Sequence, residues 1–215
     1  VYDARDKVAR LLGAPSAARV SFAANATMAL NIAIAGLLPD GGRAVTTAAS
    51  HNSVLRPLHK ARDERGCTVG VAPVGPDGSL DLAAYGRLLE GGADLVAATH
   101  ASNLTGDVYD VARMAALAHE AGALFVLDAA QTAGALPLDM GALGADVVCF
   151  TGHKSLMGPQ GTGGLCVGAG VEIRPFAVGG TGVQSYSETQ PEAYPTRLEA
   201  GTLNSHGIAG LGASL

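Results

Sequence analysis

Lys154, Asp128, His51, Asn103 and Gln131 each stand just beyond an apolar run of this chain, where a folded protein can present polar groups to a ligand. Lys154 lies in "GHKSLMGPQGTGG", on a Gly- and Pro-rich turn between two apolar strands. A phosphate-cradling P-loop needs Gly-Lys-Ser/Thr at the end of its glycine loop, whereas here the lysine precedes the glycines. A dinucleotide fingerprint fails as well, because "GTGGLC" breaks the last glycine of the pattern and leads into a strand. Two readings remain. Lys154 is either a solvated loop lysine, or a lysine held in a crevice where partial desolvation makes its amine a Schiff-base nucleophile. Asp128 closes the run "LFVLD". It is either a cap or turn aspartate, or a carboxylate facing a cationic ring nitrogen, with Gln131 three residues on pointing the same way.

The same pattern recurs at other strand ends. Thr27, in "SFAANATMALN", sits at a strand-to-helix junction. Its hydroxyl caps the helix, or the free backbone N–H groups and helix dipole there hold an anion. His51 in "TTAASHNSV" and Asn103 in "THASNLTG" follow strands too, with a hydrogen-bonded surface histidine and a turn asparagine as the plainer readings. Five strand ends thus carry polar groups of the kind that a flat, anionic, ring-containing cofactor requires.

The elements that must position them are short β-rich runs alternating with helical patterns. Strands are expected at 19–23, 43–48, 68–74, 94–100, 124–128, 146–151 and 164–168. Helices are expected at 26–38, 54–65, 80–90 and 110–121, with a short helical turn near 139–144 and glycine stops at Gly66 and Gly122. Nearly continuous apolar strands separated by helices predict an α/β fold, a three-layer α/β/α sandwich around a mostly parallel sheet. Ligands of such sheets gather at the carboxyl ends of the strands, so Asp128 and the segment Thr151–Lys154 should share one crevice.

Composition narrows the function. Hydrophobic residues make up 48% of the 215 and charged residues 15%, with a formal net charge of −5 and no basic cluster, which excludes nucleic acid and anionic membranes as expected partners. The longest apolar stretch, "ATMALNIAIAGLL", is too short to span a bilayer. Cys67, Cys149 and Cys166 form an odd, scattered set without CxxC, so neither disulfides nor a metal site are expected and a cytoplasmic setting is. Both ends read as running helices, the first with Val8, Leu11 and Leu12 on one face and Gly13 as its stop. The expectation is a single large domain over 1–215, from a longer protein whose N-terminal segment and C-terminal small domain lie outside it.

In their order, "ATMALN", "SHNSV", "SNLTG", "DAAQTAG", "FTGHKSLMGPQGTG" and "RLEAGTLN" resemble the class V aminotransferase group of fold-type I pyridoxal-phosphate (PLP) enzymes, and most of all its cysteine desulfurase and selenocysteine lyase branch. The resemblance implies PLP joined to Lys154 as a Schiff base, with Lys154 also moving protons at the substrate α-carbon. It implies Asp128 on the pyridinium nitrogen, His51 on the ring face, and Gln131 and Asn103 at the phenolic oxygen. Ala26, Thr27, Thr151 and His153 would hold the phosphate. Thr202 would reach the phosphate of a neighbouring subunit, which makes a homodimer with a shared site. The implied reaction cleaves the carbon–sulfur bond of L-cysteine, giving alanine and persulfide sulfur for an acceptor protein. A class V aminotransferase, a selenocysteine lyase and a PLP-binding domain without turnover are the alternatives. Two departures accompany the resemblance. Met28 replaces an acidic residue of the phosphate loop, and no arginine for the substrate carboxylate or persulfide-forming cysteine is matched here, the three cysteines reading as core thiols.

Overall fold

The structure, a computed structural model, describes residues 1–215. Seven strands alternate with six helices: α1 (Tyr2–Leu12), β1 (Val20–Ala23), α2 (Ala26–Leu37), β2 (Arg43–Thr47), α3 (Asn52–Arg65), β3 (Thr68–Ala72), α4 (Leu82–Leu89), β4 (Leu95–Thr99), α5 (Val111–Glu120), β5 (Leu124–Asp128), β6 (Val147–Thr151), β7 (Gly163–Val167) and α6 (Ser205–Ser214). They form one sheet in the order β1-β7-β6-β5-β4-β2-β3, in which β7 alone runs against its neighbours.

Alternation along each strand explains the three layers. Phe125 and Leu127 of β5, Val148 and Phe150 of β6, and Val96 and Ala98 of β4 pack into a core with α1, α4, α5 and α6. Their sequence neighbours Val126, Val147, Cys149, Leu95 and Ala97 face the other way, into a second core under α2 and α3. A strand buried on both faces must be apolar throughout, as these runs are. The predicted sandwich and its seven strands are therefore observed, with ends shifted by one or two residues.

The short helical turn expected near 139–144 is present as a single turn, closed by Leu143 N–H to Asp139 O and followed by Gly144 N–H to Gly141 O. Two local expectations are corrected. Leu11 is 42% exposed while Val8 and Leu12 are fully buried, so the inner face of α1 follows i, i+4 and leaves Leu11 at its edge. Helix α3 begins at Asn52, two residues early, because the His51 ring accepts the N–H of Ser53 and caps it. Glycine stops occur as expected: Gly13 and Gly66 are left-handed caps, and Gly122 has a positive φ just past α5.

Edge strand β1 is covered by an ion pair rather than another strand. Arg5 of α1 donates to both oxygens of Glu199 at 2.7 and 2.6 Å, and Glu199 accepts the Phe22 N–H at 2.6 Å. Both side chains are almost fully buried, and the guanidinium lies 4.8 Å above the Phe22 ring. Glu199 thereby satisfies a backbone donor on the strand that leads into α2. Removing one partner of such a pair leaves a buried charge uncompensated. Arg5→Met should cost about 3–5 kcal/mol of unfolding free energy in urea titrations, and Arg5→Met with Glu199→Gln should recover most of it. A loss below about 1 kcal/mol for the single variant would show that water compensates the carboxylate.

Candidate active site

Because β1, β2, β4, β5 and β6 point the same way, their carboxyl ends share one edge of the sheet. Reversed β7 brings its amino end to that edge, so the glycine loop between Thr151 and Gly163 folds back over it, with Gly152 N–H bonded to Thr162 O. Glycine is required where this return passes α2. A Cβ on Gly163 would stand 2.7 Å from the Asn25 Cα, so only a bare backbone lets the two loops meet.

A cleft of about 290 Å³ opens at this edge, lined by Ala26, Thr27, His51, Asn103, Asp128, Gln131, Thr151, His153 and Lys154 together with Asn25, Ser53, Thr99, Ala101 and Ala130. Nine of the ten residues singled out from the sequence thus converge. The tenth, Thr202, is exposed and lines a different hollow of about 380 Å³ with Met28, Ile32, Phe176 and Leu203. That hollow is the larger, yet it is mostly apolar, and its one charged group, Glu199, is committed to Arg5. The chemistry belongs to the polar cleft.

Asp128 is its sole acid, 3% exposed at the end of β5. It caps no helix; Oδ1 accepts the N–H of Ala130 at 3.0 Å in the turn that follows. Burial pushes the carboxyl up from its ordinary value, opposed by that hydrogen bond and by the nearby His51 and Lys154. Such a group is poised to accept a cation or a proton donor. Beneath it, His100 is buried, donates its backbone N–H to Asp128 O at 3.0 Å and meets Thr132 Oγ1 through Nδ1 at 3.0 Å. Burial lowers the pKa of His100, which favours the neutral imidazole beside Thr132.

The opposite wall is built to hold an anion. Asn25, not Thr27, caps α2, its Oδ1 accepting the Met28 N–H at 2.9 Å. The first N–H groups of the helix, on Ala26 and Thr27, precede the intrahelical ladder and face the cleft mouth with the positive end of the dipole. Thr27 Oγ1 lies 2.7 Å from Ser53 Oγ, and Thr151 Oγ1 lies 3.0 Å from His153 Nδ1. Lys154 is exposed, so the chain by itself does not supply the desolvation expected around its amine. Asn103 is also exposed, on a turn fastened to Ser102 Oγ, and Gln131 is half-buried.

Sequence reasoning missed Ser53, Thr99 and His100. Ser53 stood within the quoted "SHNSV", and a hydroxyl two residues after a strand-end histidine was the available signal. Of the three thiols, all buried, Cys149 is pushed well up by burial and Cys166 up to about 12, which makes them inert as nucleophiles.

The raised Asp128 carboxyl fixes a sign. A buried acid binds its proton above the pH at which the unfolded chain releases it, so its contribution to stability falls as pH rises through that window. Asp128→Asn should therefore stabilise the cofactor-free protein at neutral pH, by about 0.5–2 kcal/mol, and lose the gain in acid below the ordinary carboxylate range. Thermal unfolding against pH measures it, and a destabilised Asn variant at neutral pH would refute the assigned cost.

Comparison with known proteins gives the family. The family model described as aminotransferase class-V matches residues 1–215. A probable cysteine desulfurase of Methanothermobacter thermautotrophicus is 38% identical over 220 residues, covering 100% of this chain and 54% of its own length. A cysteine desulfurase of Serratia proteamaculans is 34% identical, over 98% of this chain and 54% of its own. The solved apo structure of a cysteine desulfurase from Thermococcus onnurineus matches with a TM-score of 0.91 at 33% identity, covering 99% of this chain and 55% of that one. The chain thus spans about half the length of these relatives. With its whole length matched by the family model and by a relative 38% identical, the chain belongs to the class-V aminotransferase family.

Proposed function

We propose that this chain is the cofactor-binding domain of a PLP-dependent cysteine desulfurase, whose full-length protein removes sulfur from L-cysteine and leaves alanine. One observation carries the reading: a single cleft joins a lysine, a buried carboxylate and a helix N-terminus. These are the three groups needed by a compound with a carbonyl, a basic ring nitrogen and a phosphate. The donor set fits PLP. When bound, PLP supplies an electron sink for bonds at an amino-acid α-carbon.

The chain's own residues divide the remaining work. Ala26 and Thr27, with Thr151 and His153, would hold the phosphate through the α2 N–H groups and hydroxyls. Asp128 would keep a proton at the ring nitrogen, which a carboxylate made costly by burial does well. His51 would cover the ring face, and Gln131 and Asn103 would bond the phenolic oxygen. Lys154 would anchor the cofactor and take up or return a proton at the substrate α-carbon. No helix of the chain is long and apolar enough to cross a membrane, and three free buried thiols agree with a reducing cytoplasm. Because those thiols are buried, the reading places the sulfur-accepting cysteine, like the substrate-carboxylate arginine, outside this chain, and sulfur would pass to an acceptor protein.

Thr202 enters through a homodimer. It is exposed and away from its own cleft, and Phe176, Val178, Val183 and Tyr186 on the neighbouring loop present apolar surface to solvent. A second subunit would cover that surface and receive Thr202 at its phosphate site.

Borohydride reduction of the full-length protein with PLP should leave a pyridoxyl label on Lys154, mapped by peptide mass, and L-cysteine should yield equal alanine and sulfide under reducing conditions. A label on Lys7 or Lys60, or no alanine from the PLP-loaded protein, would overturn the reading. Mixed Lys154→Ala and Thr202→Ala subunits, each impaired alone, should recover activity in hybrid dimers carrying one intact site. Confirmed subunit exchange without recovery would end the shared-site proposal.

A further inference from the structure

Between the anion wall and the ring-facing histidine stands Ser53, a residue with no part in the reading above. It is 9% exposed at the start of α3. Its hydroxyl oxygen lies 2.7 Å from Thr27 Oγ1 and 2.9 Å from His51 Nδ1, and its backbone N–H reaches the same Nδ1 at 3.1 Å.

The backbone contact decides the histidine's state. An amide N–H can only donate, so Nδ1 of His51 must offer its lone pair, and the neutral ring carries its proton on Nε2. Capping a helix with a ring nitrogen is thus also a tautomer lock. The hydroxyl contact adds a link. Ser53 has one hydroxyl proton and two acceptors in reach, His51 Nδ1 and Thr27 Oγ1. An anion at the α2 N-terminus draws the proton of Thr27 toward itself and leaves the Thr27 oxygen as an acceptor. The Ser53 proton then turns to Thr27, and His51 keeps the amide alone.

We propose that Ser53 is a positioning residue that holds His51 as the Nε2–H tautomer and couples its ring to the occupancy of the anion site at Thr27. The coupling rests on the anion-site reading of Thr27; the lock does not. Its consequence is order of assembly: the ring-facing histidine reports a seated anion before any substrate arrives.

The test uses the cofactor-free full-length protein labelled with ¹⁵N-histidine, with His51 assigned through His51→Gln and inorganic phosphate as the probe. Above the ordinary imidazole range, Nε2 should show a bonded proton and Nδ1 none. Phosphate should move the Nδ1 signal saturably. Ser53→Ala, which keeps the backbone amide, should keep the tautomer, lose most of that movement, and weaken phosphate about two- to tenfold, the worth of one hydrogen bond. Ser53→Thr should restore both. A proton on Nδ1 in the wild type would overturn the lock. A phosphate response in Ser53→Ala equal to wild type, or no response in the wild type, would overturn the coupling. Lys154 labelling by PLP, measured separately, tells whether the cofactor reading fails with it.

Discussion

Burial of the central strands on both faces governs where this protein can be polar. β4, β5 and β6 read "LVAAT", "LFVLD" and "VVCFT", each with a single polar residue, and each at its carboxyl end. Anywhere else a hydroxyl or carboxylate would enter one of the two cores without a partner and cost several kcal/mol. Parallel direction then gathers those ends on one edge. The cleft follows from the sandwich: the one end at which these central strands carry polar groups is also where the connections are free to carry more of them.

Within the cleft, stability and binding pull apart. Asp128 is kept where its charge is disfavoured, with one amide hydrogen bond for support. The Ala26 and Thr27 amides at the start of α2 are donors without protein acceptors. Both arrangements cost the folded chain something and gain when a cation and an anion of the right spacing are supplied together. Satisfied polar contacts hold the surroundings: a buried Arg5–Glu199 pair on the edge strand, His100 bonded to Thr132 and to the Asp128 carbonyl, and side-chain caps on α2 and α3.

Much of this was legible in the sequence because apolar runs with terminal polar residues mark parallel strands and their active edge at once. Asp128, Lys154 and His51 could be placed from that pattern, since each belongs to the last residues of a run or the turn after it. What escaped depends on side chains meeting across the fold. That Asn25 rather than Thr27 caps α2, and that Leu11 turns outward, are matters of rotamer and helix phase. His100 and Ser53 gain meaning through Thr132 and Thr27, partners distant in sequence. Glu199 was only one letter in "RLEAGTLN" until Arg5 faced it.

The reversed direction of β7 also sets a schedule. Val20 of β1 pairs with Cys166 of β7, across most of the chain's length, and Arg5 waits for Glu199 further on still. On a ribosome, β1 emerges well before β7, yet it cannot take its place at the sheet's edge until β7 has been made and has folded back along β6. Closing so long a loop is an entropic cost paid before its contacts form. The parallel strands β2 to β6 can assemble among themselves in the meantime. Edge strand β1 is therefore written before the sheet it joins and paired only after β7.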